Sequence, residues 1–136
     1  PLPLRDELPS YPPIYRHVEA LEGDDALVEL PLPPPERFQD NAIYVYRSIH
    51  HGRRLVNGYS GFAPTVYREA YRRLMRRSLA RGLERAHEEG VRHVLAHEGR
   101  LGPRMRRQIR EMMIAGTLRL IAEEGSDRLY AIVPSP

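Results

Sequence analysis

The sequence predicts an α/β fold: three layers, with a mainly parallel sheet of about 4–5 strands, helices on both faces and a C-terminal antiparallel hairpin. Two short apolar segments, residues 26–32 and 91–97, are typical of strands buried on both faces. Predicted helices alternate with these strands, which favours parallel pairing. Residues 118–123 and 128–133 flank a turn-forming Glu-Gly-Ser-Asp sequence and predict the hairpin. We expect the first two strands to be adjacent, parallel and central, and the last strand to form the antiparallel edge.

The first helix is predicted over residues 14–21. Pro12 and Pro13 suit the start of a helix because proline has the φ angle of a first turn and needs no hydrogen-bond acceptor there. Gly23 and the two aspartates after it end the helix. The strand at residues 26–32 then leads into a run of prolines, which predicts a loop.

The next segment, residues 41–50, leaves two alternatives open. Its tyrosine, valine and isoleucine residues favour a strand, but a helix capped by Asp40 fits equally well. Residues 54–57 predict a short strand, followed by a glycine-rich turn at residues 58–61.

A long helical region is predicted from Pro64 to about residue 89. Its two apolar stripes are out of phase, so we expect a break near Ser78 and two helices. Gly90 ends the second helix. A further helix begins at Gly102-Pro103 and ends at Gly116.

Composition limits the possible function classes. The chain has 136 residues and no cysteine, which excludes a disulfide scaffold and a thiolate zinc site. No apolar run approaches the roughly 20 residues of a membrane span, and no signal peptide is recognisable. The chain begins at Pro1 and its first methionine is Met75. We therefore expect a soluble piece of a longer protein, with a Pro-rich linker at residues 1–11 and one domain at residues 12–136.

Positive charge is concentrated in residues 64–110, which hold 13 arginines and 5 acidic residues, for a net charge of +8. All basic residues are arginine, and two rows of them have i,i+4 spacing: Arg68, Arg72 and Arg76, and Arg73, Arg77, Arg81 and Arg85. Such like-charge pairs destabilise a helix by about 0.2–0.5 kcal/mol each. The charge is either a solvated face or a surface for nucleic acid, anionic lipid head groups or an acidic protein face. A nucleic-acid-binding module is therefore the alternative function, although the sequence lacks nucleic-acid-binding signatures and disfavours nucleic acid as a partner.

The sequence offers little direct chemistry. His93 and His97 would lie about 13 Å apart on a strand, too far to share a metal ion. The sequence around Ser60 approaches the GxSxG nucleophile motif but has Phe62 where the last glycine belongs. Phosphate loops of the GxGxxG or Walker type do not occur. We expect no catalytic residue, metal or cofactor in this piece of chain.

Three segments carry a resemblance to a known family: VELP at residues 28–31, YRSIHHGRRLVNGYSGFAP at residues 46–64 and GVRHVLAH at residues 90–97. In them the sequence resembles the soluble extracytoplasmic domains that end bacterial multi-spanning membrane glycosyltransferases of the GT-C type. These enzymes are related in layout to dolichyl-phosphate-mannose-dependent mannosyltransferases. The most specific part is LVNGYSG. By contrast, Gly52 and Arg53 stand where the family more often has Trp-Arg-Pro.

The resemblance implies a cellular context and a role. The domain would lie on the extracytoplasmic side of the cell membrane and pack against the transmembrane part of the same chain. There it would help to form the site for a lipid-linked sugar or its acceptor, and anionic lipid head groups are further possible partners. Catalytic acidic residues of GT-C enzymes belong to the membrane part, so the resemblance implies no glycosyl transfer by this piece alone.

The candidate ligand-binding surface lies where residues 47–60 meet the carboxyl end of the strand at residues 91–97, because ligands bind beyond the carboxyl ends of parallel strands. The candidate residues are Arg47, His50, His51, Arg53, Arg54, Asn57, Gly58, Tyr59, Ser60, Gly61, His97 and Glu98. The glycines would let backbone N–H groups approach an anion, and the arginines would add charge-assisted hydrogen bonds. Alternatively, Asn57 and Tyr59 only tie the loop to the sheet.

Overall fold

In the computed structural model, which describes residues 11–57 and 64–135 except the side chains of residues 49–50 and 64–66, four strands form one sheet. The strands are β1 (Ala26–Leu30), β2 (Val91–His97), β3 (Leu118–Glu124) and β4 (Asp127–Ile132). Their order across the sheet is β1-β2-β4-β3. β1 and β2 pair in parallel, whereas β4 runs antiparallel to both β2 and β3. Three of the four strands therefore point in the same direction.

Helices cover both faces of this sheet. They are α1 (Ile14–Glu19), α2 (Ala42–His51), α3 (Pro64–Tyr71), α4 (Leu79–Glu88) and α5 (Pro103–Ala115). A π-helical segment (Arg72–Arg76) continues α3, and 3₁₀ helices occupy Pro35–Asn41 and Glu98–Arg100. Within the described ranges, no helix has both the length and the apolarity needed to cross a bilayer.

Each face of the sheet has its own apolar core. On one face, α1 and α2 pack against alternate residues of the strands, including Leu27, Leu95 and Leu129. On the other, α3 to α5 pack against the intervening residues, such as Val28 and Val94. The predicted three-layer α/β class with a C-terminal antiparallel hairpin is thus confirmed.

β1 is adjacent and parallel to β2 as predicted, but it lies at the edge of the sheet rather than at the centre. The returning chain runs beside it only briefly. Leu27 N–H donates to Arg54 O (2.8 Å), and Val56 N–H donates to Leu27 O (2.9 Å). Leu55 makes a single parallel bridge to Leu27, so the short strand predicted at residues 54–57 does not form.

The antiparallel edge is β3, not the last strand, which corrects a second expectation. β4 is buried from Leu129 to Ile132, whereas most of β3 is exposed. The more apolar strand of the hairpin therefore takes the inner position, where both its faces are covered.

The ambiguous segment before Gly52 is a helix, α2. It ends where Gly52 adopts φ 72°, a left-handed conformation that suits glycine. Asn41 precedes the helix, so the predicted cap at Asp40 is wrong, and Asp40 instead pairs with Arg37 at 2.7 Å. Tertiary burial of Tyr44 selects the helix over the strand that its sequence also allowed.

The predicted break near Ser78 is confirmed. The π-helical segment ends at Arg77, which has extended backbone, and the Ser78 side chain accepts a hydrogen bond from Arg81 N–H to cap α4. The two helices then pack at very short range. A Cβ on Gly82 would lie 2.7 Å from the backbone oxygen of Arg73, closer than real Cβ contacts allow.

We expect Gly82→Ala to lower the free energy of unfolding by about 1–3 kcal/mol, because the added methyl group overpacks this contact. Helix propensity alone predicts the opposite sign, since alanine is favoured over glycine by about 1 kcal/mol. Urea unfolding would measure the change. Ala80→Gly, at an exposed position of the same helix, sets the scale of the propensity effect. A rise in stability for Gly82→Ala would contradict the close packing.

Candidate functional site

A network of buried polar side chains lies at the carboxyl ends of β1 and β2, on the sheet face covered by α1 and α2. His97 is its centre. The Nε2 atom of His97 lies 2.8 Å from Glu29 Oε1, and its Nδ1 atom lies 2.8 Å from Asp127 Oδ1. Glu29 is 0% exposed and His97 is 6% exposed. Strand alternation places these side chains on one face, because Glu29 follows Leu27, and His97 follows Leu95, by two residues.

Helices α1 and α2 complete the network. Tyr15 of α1 donates its hydroxyl hydrogen to Glu29 Oε1, and its hydroxyl oxygen lies 3.4 Å from His97 Nε2. Arg47 of α2 donates from Nη1 to the Tyr15 hydroxyl at 3.2 Å, with its guanidinium 5.2 Å from the centre of the ring. The guanidinium therefore brings a positive charge close to the Glu29 carboxylate.

Stacked rings hold the network in place. Tyr44 stacks on His97 with ring centres 5.5 Å apart, and Tyr15 stacks on His51 at 5.7 Å. Arg100 donates a hydrogen bond to the Tyr44 hydroxyl at 2.7 Å. The His97 ring is thus fixed both by stacking and by contacts at each of its nitrogen atoms.

Each ring nitrogen of His97 has a carboxylate oxygen as its partner. A neutral imidazole carries one N–H, yet both nitrogens of His97 contact carboxylate oxygens. A ring that carries hydrogen on both nitrogens donates to both carboxylates at once. Burial raises the pKa of Tyr15 well above its usual value, and the nearby Glu29 charge and hydrogen bond raise it further, so Tyr15 remains a donor. Glu29 Oε2 has no hydrogen-bond partner in the described part of the chain.

Asn57 closes the free edge of β1. Its Oδ1 accepts from Glu29 N–H at 2.8 Å, and its Nδ2 donates to Glu29 O at 2.8 Å. Nδ2 also donates to Asn41 Oδ1 at 3.3 Å. The side-chain amide replaces a strand at this edge, because it satisfies both backbone groups of one residue as a neighbouring strand would.

Arg53 and Arg54 lie near the amino end of β1, away from the network. The buried guanidinium of Arg53 donates to the backbone oxygens of Leu21, Glu22 (3.2 Å) and Asp25 (3.4 Å). Arg54 is exposed and donates to a backbone oxygen of the same loop. These arginines therefore bind the loop after α1 and do not face the carboxyl end of β2, contrary to expectation.

Glu98 is buried on the opposite face of the sheet. It accepts a hydrogen bond from the Tyr130 hydroxyl at 2.6 Å and pairs with Arg128 at 3.0 Å. Burial, together with the hydrogen bond to Glu98, raises the pKa of Tyr130 above its usual value. The adjacent residues His97 and Glu98 thus belong to different clusters.

The structure brings three of the predicted site residues together, namely Arg47, His51 and His97, with Asn57 at the neighbouring strand edge. Gly58, Tyr59, Ser60 and Gly61 lie outside the described residues, as does the side chain of His50. Ligand binding by these residues remains a prediction.

Sequence reasoning missed four members of the network: Tyr15, Glu29, Tyr44 and Asp127. Glu29 had a usable signal, because a charged residue inside an apolar strand needs a buried partner. The others had none, since only the tertiary fold brings them to His97. Among the described residues, no group of three or more histidine, cysteine or acidic residues is arranged to hold a metal ion.

We expect strong coupling between Glu29 and His97. Breaking a buried ion pair by removing one partner costs about 3–5 kcal/mol, so Glu29→Gln and His97→Asn should each destabilise the fold. The double variant should lose less than the sum of the two, as measured by urea unfolding. The exposed pair His17 and Glu124, 3.1 Å apart, is the matched control, with an expected coupling of about 0.2–1 kcal/mol. Equal couplings for the two pairs would contradict a buried network.

Tyr15 should make the fold sensitive to alkaline pH. Because its pKa is raised in the folded state, its stabilisation is complete below about pH 10 and is lost as the pH rises, when only the unfolded chain ionises. Tyr15→Phe should make the fall in unfolding free energy shallower by up to about 1.4 kcal/mol per pH unit. Urea titrations from about pH 8 to about pH 11 would measure both slopes. If the unfolding free energies of Tyr15→Phe and the unchanged chain fell equally with pH, the Tyr15 hydroxyl would not be buried from solvent as described.

Comparisons with known proteins give a likeness in fold. Neither a protein-family profile nor a curated protein sequence matches the chain. A crystal structure of the C-terminal globular domain of oligosaccharyltransferase from Archaeoglobus fulgidus is similar, with a TM-score of 0.51 and 10% identity. The likeness covers 88% of this chain and 94% of that one. At this identity it concerns the fold alone: the chain has the fold of a globular domain that in that protein belongs to an oligosaccharyltransferase.

Proposed function

We propose that this chain is a non-catalytic extracytoplasmic domain of a membrane-embedded GT-C-type glycosyltransferase. The observation that carries the proposal is the fold likeness to an oligosaccharyltransferase domain, which spans nearly the whole of both chains. The separate resemblance of residues 46–64 to the terminal domains of GT-C-type membrane proteins supports the same assignment.

A supporting rather than catalytic role agrees with how the described acidic residues are used. Glu29 and Asp127 hold His97, and Glu98 holds Tyr130 and Arg128. Each of these contacts joins separate elements of the fold. In this proposal the domain packs against the transmembrane part of the same chain, on the extracytoplasmic side of the cell membrane.

The proposed contribution to a lipid-linked sugar or acceptor site comes from the segment at residues 58–61. Asn57 fixes the start of this segment to β1 at Glu29, and Glu29 contacts His97 on β2. Asn57, the last described residue before this segment, is therefore fixed beside the carboxyl ends of two strands, where ligands of parallel sheets bind. A rigid attachment suits a loop that has to present groups to a ligand.

Cysteine labelling tests the location. These 136 residues hold no cysteine, so Arg107→Cys, at an exposed position of α5, provides one labelling site within the domain. In intact cells that produce the full-length protein, a membrane-impermeant maleimide should label this site as strongly before permeabilisation as after it. The same full-length protein with Arg107 unchanged gives the background. Labelling only after permeabilisation would place the domain on the cytoplasmic side and overturn the proposal.

Substitution in the full-length protein tests the role in the site. Tyr59→Ala should lower transfer from a lipid-linked sugar while thermal unfolding of the 136-residue chain stays unchanged. Arg106→Ala, on the exposed side of α5, is the control and should change neither activity nor stability. Loss of stability with Tyr59→Ala would instead mean that this residue is part of the scaffold.

A further inference from the structure

A groove of about 1220 Å³ lies on the face of the sheet opposite the His97 network. It runs between α3, the π-helical segment and the 3₁₀ helix at Pro35–Asn41, beside Ala26 and Val91 at the amino ends of β1 and β2. Five arginines line it: Arg68, Arg72, Arg73, Arg76 and Arg85. Nothing in the proposed function uses this groove.

The groove has more positive charge than its own carboxylates can neutralise, because five arginines but only three glutamates, Glu36, Glu69 and Glu89, line it. Glu69 pairs with Arg72 at 3.1 Å. Glu89 pairs with Arg85 at 2.8 Å and with Arg73 at 3.7 Å.

Two of the five arginines of the groove take no part in these ion pairs. Arg68 and Arg76 form no ion pair or hydrogen bond with any residue that the structure describes. They carry two positive charges on the same wall as Arg72.

The four-residue spacing places Arg68, Arg72 and Arg76 on one side of the helix axis. In an α-helix, with 3.6 residues per turn, residues four apart drift around the axis. Arg68 lies in α3, and Arg72 and Arg76 are the first and last residues of the π-helical segment, and all three line the groove. Arg68 and Arg76 are roughly 12 Å apart along the axis, a gap that two long side chains can close around one ligand.

Aromatic side chains form part of the wall of the groove. The ring of Phe38 meets Tyr67 edge-on at 4.7 Å, and the Tyr67 hydroxyl donates to Pro33 O at 2.7 Å. Burial raises the pKa of Tyr67 to about 12, so its hydroxyl stays neutral and keeps this hydrogen bond. The wall is therefore anchored, and with Tyr71 it offers apolar surface beside the arginines.

We propose that this groove binds a phosphate-bearing ligand through Arg68 and Arg76. Guanidinium groups match phosphate oxygens with paired hydrogen bonds, and a phosphate monoester carries about −1.5 to −2 charges, close to the two positive charges that are free here. The apolar wall suits a ligand whose phosphate is joined to a less polar body. A soluble phosphate compound and a lipid with a phosphate head group both have this chemistry.

Inorganic pyrophosphate is the first probe. Titration calorimetry with the 136-residue chain should detect binding, and Arg68→Gln with Arg76→Gln should weaken it by about tenfold or more. Arg106→Gln with Arg110→Gln is the matched control, because it removes the same charge from the exposed side of another helix, α5. The control should change the affinity by less than about twofold. Thermal unfolding of both variants would establish that the fold is intact.

Sedimentation with phosphatidylcholine vesicles, with and without phosphatidic acid, distinguishes the two sources of phosphate. Binding only to phosphatidic acid, and lost only in the groove variant, would identify a lipid head group. Equal weakening by both double variants would show a general charge effect and overturn the proposal. Two other results would also overturn the proposal. One is that a single-stranded oligonucleotide binds more tightly than the phosphate probes, with the same dependence on Arg68 and Arg76. The other is that no probe binds.

Discussion

The layer of the fold that holds α1 and α2 depends on the buried carboxylate of Glu29. A carboxylate removed from water needs hydrogen-bond donors and a compensating charge. Tyr15 supplies one donor, and the ring nitrogen of His97 lies 2.8 Å away. Through these contacts, α1 and the central strand β2 both contact Glu29 Oε1. Arg47 connects α2 to the same group, because it donates a hydrogen bond to the Tyr15 hydroxyl. Breaking one contact would leave charge in an apolar layer, so the elements of this layer depend on one another.

The same residue also determines how β1 can serve as an edge. An open edge presents unpaired backbone groups, and Glu29 would present two of them. Asn57 satisfies both with its side chain, and Leu55 and its neighbours satisfy the preceding part of the strand. Within the described part of the chain, these contacts close the edge without a fifth strand, and Asn57 is fixed beside Glu29. In the proposed function this point supports the loop that faces a ligand.

The other face of the sheet depends on close packing of helices rather than on a buried charge. Gly82 lets α4 approach the backbone of the π-helical segment closely. The arginine side chains of that segment line the groove. The two faces therefore differ in character. One holds buried, paired charges that stabilise the structure, and the other exposes unpaired positive charge at Arg68 and Arg76, which is available for a ligand.

Local patterns in the sequence determined most of the helices and strands. Proline at the starts of α1 and α5, the change of apolar phase near Ser78 and the apolar runs of β1 and β2 act through neighbouring residues, so their effect is visible without a structure. The parallel pairing of β1 with β2 and the two-sided packing of helices followed from the order of these elements. Of the site, His97, Arg47 and His51 were predictable as a group because the carboxyl ends of parallel strands collect polar residues.

Only the tertiary structure decided the remaining features. The segment 42–51 became a helix because burial of Tyr44 against the sheet outweighed the β propensity of its residues. β1 became an edge strand, and β4 rather than β3 took the inner position, because the burial of each strand depends on all its neighbours. The partners Glu29 and His97 are 68 positions apart in the chain, and Tyr15 and His97 are 82 apart. Contacts at such separations depend on the assembled core, and no local pattern of residues encodes them.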